Sequence, residues 1–309
     1  MRNAIRLLVL SLLVLVYVCT SRVWSKRPFP TSVPQTPDPT PSGVVKVLFH
    51  SNQCGFRGTD AATFDYAFFG ELFYNMESYH TFPAHAVHSQ AQLSKLEATF
   101  PSRVIPLPVP DGKFWRDVPE LYRTVLDAVV RDYKIDYLYK IEDGAEAELV
   151  LTTVPTLIHA VFECERPHGS RMLAVSDTVH HHGQGCSGSV PHMVWIADCR
   201  QETLRAELNI PEDAFVFGWL GGDDAWDASV TGIVKEVAAL APEVYFMFQN
   251  FPADQGVLLQ NTSNVLLVEA TNDAYFKCKF GRTMDVFLHP RPKGETFGLA
   301  VAEVSLRNL

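Results

Sequence analysis

The chain has 309 residues, 47% hydrophobic and 20% charged, with a formal net charge of -9. That is enough apolar material for a large core and two domains. The acidic balance excludes a broad nucleic-acid surface, which needs clustered Lys and Arg, and leaves room for a small polyanionic ligand in one local pocket.

Residues 1–21 stand apart from the rest. From Leu7 to Val18 the sequence reads "LLVLSLLVLVYV", with Arg2 and Arg6 before it and Arg22, Lys26 and Arg27 after it. The run is shorter than the roughly 20 residues that span an average bilayer, so it fits a short signal anchor or the core of a cleaved signal peptide. Residues 22–43 contain six prolines between Pro28 and Pro41, interleaved with Ser and Thr. Such a segment is extended and builds no core, so it reads as a stalk. The layout predicts a single-pass protein of the Golgi or endoplasmic reticulum whose body faces the lumen and whose membrane contact is the N-terminal segment; secretion is the alternative. The cysteines beyond Cys19 (Cys54, Cys164, Cys186, Cys199 and Cys278) allow one or two disulfides with no assignable pairing. Asn261 opens an N-T-S sequon.

The body alternates strands and helices. An N-terminal domain over 44–200 opens with the strand "VVKVLFH" and the loop "SNQCGFRGTD", then a helix from Ala61 to Met76. It continues with "SRVIPLPV", a helix over 117–133, "IDYLYKIE", "PTLIHAVF" and "MLAVSD". A second domain over 201–309 opens on a polar stretch, 199–214, that reads as helical. It contains the strand "FVFGWLGG", a helix presenting Val234, Val237, Ala238 and Leu240, the strands "EVYFMFQN" and "NVLLVEA", a helix over 272–280, the strand "MDVFLHP" and a closing helix, "FGLAVAEVSL". Alternation of this kind predicts parallel sheets covered on both faces, hence two Rossmann-like α/β domains. Ligands of such sheets collect beyond the carboxyl ends of the strands, here the loops after His50, His159, Trp219 and His289.

The closing "GETFGLAVAE" places free backbone amides around Phe297, Gly298 and Leu299 at a helix start, which suits a phosphate. Glu295 and Glu303 flank them, and a carboxylate accepts two hydrogen bonds from vicinal sugar hydroxyls. Phosphate donors between two hydroxyl-binding acids describe a nucleotide-sugar pocket.

These residues resemble the E-x7-E signature of the retaining glycosyltransferases of family 4, which have the GT-B fold. The resemblance extends through "HSNQCGFRGTDAATFDYA", "IHAVFECERPHG" and "FGWLGGDDAWD", in the same order, and covers about residues 45–309. It implies a hexosyltransferase-type enzyme that uses a nucleotide-sugar donor and a glycan, lipid or protein acceptor, with no metal and no cofactor. By the same resemblance Glu303 would bind the donor ribose, the Phe297 to Leu299 amides the diphosphate, and Glu295 the transferred sugar, with Thr296 also donor-binding. Gly221 and Gly222 would form a loop near the diphosphate. His159 would approach the sugar from the opposite side as a catalytic group, and Arg57, Gly58, Thr59 and Asp60 would hold the acceptor. Many relatives carry a basic residue where this chain has Trp219, and Lys293, Arg291 and Lys235 are the candidates to replace it. Only six residues follow Glu303, so the resemblance implies an incomplete donor domain and a chain that is poorly stable or inactive alone.

Blander readings stand beside these. His159 fits a satisfied core histidine, and "HHHGQG" (His180 to Gly185) has no partner at metal-ligand spacing. Asp223 to Asp227 fit a helix cap, or the aspartates of a metal-dependent transferase. A non-catalytic carbohydrate-binding or scaffold protein is the alternative from another class.

Overall fold

The computed structural model describes residues 43–110, 113, 116–145, 149–181, 185–222, 225–271 and 273–307. The anchor expected over 1–21 and all but the last residue of the stalk lie outside these. Among the described residues no helix is long and apolar enough to cross a membrane.

The first sheet is built from β1 (Val45–His50), β2 (Met76–Pro83), β3 (Val104–Leu107), β4 (Tyr137–Glu142), β5 (Thr156–Ala160) and β6 (Arg171–Ala174). All neighbours are parallel and the order is β3-β2-β1-β4-β5-β6. This is the strand order of a dinucleotide-binding sheet, with its switch point between β1 and β4. Helices α1 (Gly58–Tyr74), α2 (Gln90–Thr99) and α3 (Pro119–Tyr133) return the chain between strands, and the short α4 (Asp177–His181) follows β6. Because strand side chains alternate, Leu48 and Leu138 pack with Tyr122 and Leu126 of α3, while Val47 and Phe49 pack with Phe64 and Ala67 of α1 on the other face.

β2 and α2 escaped the sequence reading. "MESYHTFP" carries Ser78, His80 and Thr81 in the sheet interior, and each is buried. The sheet accepts them because Ser78 Oγ donates to the Ala67 carbonyl at 3.2 Å, Thr81 Oγ1 meets His50 Nδ1 at 3.0 Å, and His80 stacks between Phe49 and Phe100.

The second sheet contains β7 (Phe215–Leu220), β8 (Val244–Gln249), β9 (Val265–Val268) and β10 (Val286–Phe287), all parallel, in the order β10-β7-β8-β9. Read from its other edge, it repeats the first four positions of the first sheet, with its switch point between β7 and β10. Helices α5 (Ala228–Leu240), α6 (Ala253–Leu259), α7 (Ala274–Thr283) and α8 (Leu299–Ser305) accompany it. Asp227 caps α5, its carboxylate accepting from the Ser229 amide at 2.9 Å, while Asp223 and Asp224 lie outside the described residues. On α5, Val234 and Ala238 are buried, but Leu240 is exposed.

The helix expected over 199–214 is not formed: the segment is a series of turns, with Asn209 in the left-handed region. Arg205 is what shapes it. Its buried guanidinium donates to the carbonyls of Pro211 and Ala214 at 2.9 Å and meets Asp285 at 3.3 Å, wrapping the chain around a charge that a helix would have left on its surface. Disulfides join Cys164 to Cys186 and Cys199 to Cys278, and Cys54 is a buried free thiol. Asn261 is exposed at a turn after α6.

Candidate functional site

The switch point of the second sheet brings together the loop after β7, with Gly221 and Gly222, and the segment from Leu288 to Gly298 that follows β10. Asn250 Nδ2 fixes the first loop by donating to the Gly221 carbonyl at 2.9 Å. The second ends at Gly298, whose φ of 77° turns the chain into α8; a Cβ there would be strained and would press on Glu295 Cγ at 3.2 Å.

Glu295 is held from two sides. Arg291 Nη1 donates to Oε2 at 2.6 Å and His289 Nε2 lies 3.0 Å from Oε1. Burial, the largest influence, raises the carboxyl's pKa, but His289 and Arg291 together outweigh it and leave the group below its ordinary value. Glu295 is therefore a fixed anion in the segment that follows β10. Lys293 is exposed beside it, and Thr296 is half-buried.

Glu303, on α8, pairs with Lys277 of α7 through Oε1 at 2.8 Å. Its Oε2 is buried with no hydrogen-bond partner among the described residues. The surrounding pocket is lined by Asp65 of α1, Lys95 of α2, Trp195, Lys277 of α7 and Arg307 just after α8. Arg307 is 4% exposed, and its Nε and Nη1 have no hydrogen-bond partner there either. Burial raises the pKa of Asp65 to about 7, with Lys95 opposing.

Phe297 and Leu299 close the seam between the two sheets. Phe297 packs on the Ile158–Val175 side of the first sheet and lies edge-on to His192 at 5.2 Å, and Leu299 sits against Gly58 at the start of α1. The motif residues thus meet the loop after β1. Arg57 is exposed at the α1 start and its carbonyl accepts from the Asp60 amide, while the Thr59 carbonyl accepts from Thr63 Oγ1. Asp60 is 6% exposed and accepts from Gln53; burial pushes its carboxyl up to about 6.

His159 does not reach an open surface. It lies inside β5, 2% exposed, with Nε2 donating to the Val190 carbonyl and Nδ1 accepting from Tyr139, both at 2.8 Å. Burial lowers its pKa to about 4, so the ring is neutral and both nitrogens are occupied. In this arrangement His159, expected to approach a sugar, presents neither ring nitrogen to open solvent. It holds the Val190–His192 segment, and His192 is the ring that faces Phe297. Trp219 is fully buried against Trp226 and Phe251 with its ring beneath Gly221, so the indole supports the loop and takes no phosphate-facing position.

Sequence reasoning missed a charged centre at the first sheet's own switch point. Lys140 and Glu142, at the end of β4, pair at 3.0 Å, with His168 at 3.7 Å from Glu142, all largely buried. The signal was there, two charges in an otherwise apolar strand, "YLYKIE". Among the described residues no group of three His, Cys, Asp or Glu is arranged to hold a metal ion, and His182 and Asp223–Asp224 lie outside them.

No family model and no curated protein matches the chain. Solved structures do. A glycosyltransferase from Rickettsia africae superposes with a TM-score of 0.59 at 10% identity, over 85% of this chain and 77% of that one. WaaG, a glycosyltransferase of lipopolysaccharide biosynthesis, gives 0.60 at 13% over 85% and 79%. HepE from Anabaena, solved with UDP-glucose, gives 0.60 at 14% over 85% and 78%. The chain shares the two-sheet fold of these glycosyltransferases.

Proposed function

We propose that this chain is a retaining glycosyltransferase of the GT-B type that takes a hexose from a nucleotide-sugar donor. One observation carries the reading: the buried, unpartnered Oε2 of Glu303 stands eight residues from the fixed anion Glu295, across a left-handed glycine at the switch point of the second sheet. An unpartnered buried carboxylate oxygen is costly unless a ligand donates to it, and a ribose hydroxyl is such a donor.

In this reading Glu303 takes the ribose, and Glu295 takes hydroxyls of the transferred sugar. The backbone from Thr296 to Leu299, with Gly221, Gly222 and Lys293, faces the diphosphate. The bond from the anomeric carbon to the diphosphate breaks and a bond to an acceptor oxygen forms, the acceptor's proton being released. Lys293 and Arg291 offset the charge that develops on the leaving diphosphate. Arg57, Gly58, Thr59 and Asp60 border the acceptor side, whether the acceptor is a glycan, a lipid or a protein. His159 stabilises that wall from behind.

The body works in the secretory lumen, held to a Golgi or endoplasmic-reticulum membrane by residues 1–21. Its two disulfides support an oxidising compartment. The domain division of 44–200 and 201–309 belongs to the same proposal. A second reading, a carbohydrate-binding body without turnover, draws on the Lys277–Glu303 pair and on Phe297 filling the seam. Equilibrium dialysis with labelled UDP-glucose and UDP-GlcNAc tests the donor site: saturable binding lost in Glu303→Ala supports it, and no binding of any nucleotide sugar overturns it.

A further inference from the structure

The amino-terminal pole of the first sheet carries an apolar surface that the proposed reaction does not use. Helix α1 ends at Tyr74 immediately before β2, and α3 ends at Tyr133 shortly before β4, so in this parallel sheet both helix ends lie at the pole where the strands begin. The candidate site is at the other pole. α1 and α3 cover opposite faces of the sheet, and between their ends the chain enters at Gly43, whose carbonyl accepts from Asn75 Nδ2 at 3.4 Å. Leu72, Phe73 and Tyr74 are exposed on one side of that entry, Val44 at it, and Tyr133 and Tyr137 on the other. Phe73 is 67% and Leu72 59% exposed, and Phe73 stacks on Phe69.

We propose that this pole rests on the surface of the lipid bilayer to which the chain's own N-terminal segment attaches. The inference depends on the tethered-membrane reading above and not on the glycosyl-transfer reading. Three observations favour lipid over a protein partner. The tether, residues 22–42, joins the body in the middle of the patch, and even fully extended these 21 residues reach roughly 70 Å, so the patch stays within that distance of the membrane-attached segment. The exposed side chains are Tyr, Phe, Leu and Val, the amphipathic and apolar types that settle at headgroup level. The charges around them balance, Lys46, Arg131 and Lys134 against Glu77, Asp132 and Asp136, so the surface suits a zwitterionic bilayer and needs no anionic lipid. Docked this way, the body holds its candidate site facing away from the membrane.

The test uses the full chain with a site-specific protease sequence inserted after Gln35, reconstituted into phosphatidylcholine vesicles. After cleavage of the stalk, flotation measures how much of the released body stays with the lipid. The wild-type body is expected to remain bound, with and without added salt. Leu72→Glu/Phe73→Glu and the milder Leu72→Ser/Phe73→Ser lower the bound fraction about tenfold, with unchanged near-ultraviolet circular dichroism. Release of the wild-type body to the same extent as the variants overturns the proposal. So does a released body that sediments as a dimer and loses that state in the same variants, which assigns the patch to a second copy. If the uncut chain fails to float, the tether reading fails together with the docking; if it floats and only the cut body is released, the docking alone fails.

Discussion

Lys277 Nζ lies 2.8 Å from Glu303 Oε1, joining α7 to α8 across the pocket where a donor ribose would sit. The pair is mostly buried, with side-chain exposures of 18% and 13%. The ammonium therefore competes with a ligand for the same carboxylate. Replacing it frees both oxygens of Glu303 and leaves a buried charge that a donor then satisfies. Lys277→Met is expected to tighten UDP-glucose binding several-fold, on the order of 1 kcal/mol, measured by calorimetric titration. Weaker binding would mean that Lys277 itself touches the donor.

Gly298 sets the position of Glu295. At φ 77° an alanine is strained, and its Cβ would push on Glu295 Cγ. Gly298→Ala is expected to destabilise the body by about 1–2 kcal/mol. It should also reduce donor turnover far more than that stability loss explains. Denaturant midpoints and donor hydrolysis measured on the same preparation separate the two effects, and unchanged turnover in a folded variant would remove Glu295 from the site.

The disulfide from Cys199 to Cys278 closes a loop of 79 residues and anchors the helix that carries Lys277. Cys199→Ser/Cys278→Ser is expected to cost about 2–4 kcal/mol, against a smaller loss for the pair at 164 and 186, whose separation is 22. Thermal unfolding with and without reductant checks the ranking. Insensitivity of the wild type to reductant would mean that the bonds are not formed.

Asp65 gives a pH signature. Burial raises its pKa in the folded body from 3.8 to about 7, so the folded state binds a proton that the unfolded chain lacks between those values. Its charge weighs against folding above pH 7, and the penalty fades as pH falls toward 4. Asp65→Asn is expected to be more stable than wild type at pH 8, by on the order of 1–3 kcal/mol, with the advantage shrinking through that window. His159 acts in the opposite sense. Its pKa is about 4 when folded, so its neutral ring favours the folded state above pH 6.5 and loses that contribution as pH falls toward 4. A difference between Asp65→Asn and wild type that does not vary with pH would contradict the assignment.

Much of the fold could be read from the chain because buried parallel strands announce themselves as short β-branched runs. "VVKVLFH", "FVFGWL" and "VYFMFQ" became β1, β7 and β8 in the places their composition suggests. β2 was hidden because Ser78, His80 and Thr81 break the apolar run, Ser78 and Thr81 being held by hydrogen bonds and His80 by ring contacts that no periodicity encodes. The 199–214 segment misled for the converse reason: its helix-like spacing is overridden by one buried arginine. At the site, the motif gave the place of Glu295 and Glu303 but not their partners. Lys277 comes from another helix and Arg291 and His289 from earlier in the loop that carries Glu295, and only packing brings these side chains within 3 Å of the two acids. Sequence places His159 on a strand without showing that Tyr139 and the Val190 carbonyl occupy its nitrogens.

The most direct test of the central claim is hydrolysis of a panel of isotope-labelled nucleotide sugars by the full chain, with Glu295→Gln and Glu303→Ala as controls. The expected result is turnover of at least one donor by the wild type, lowered on the order of a hundredfold in each variant. Equal turnover in all three proteins, or none of any donor by a folded wild type, would contradict it.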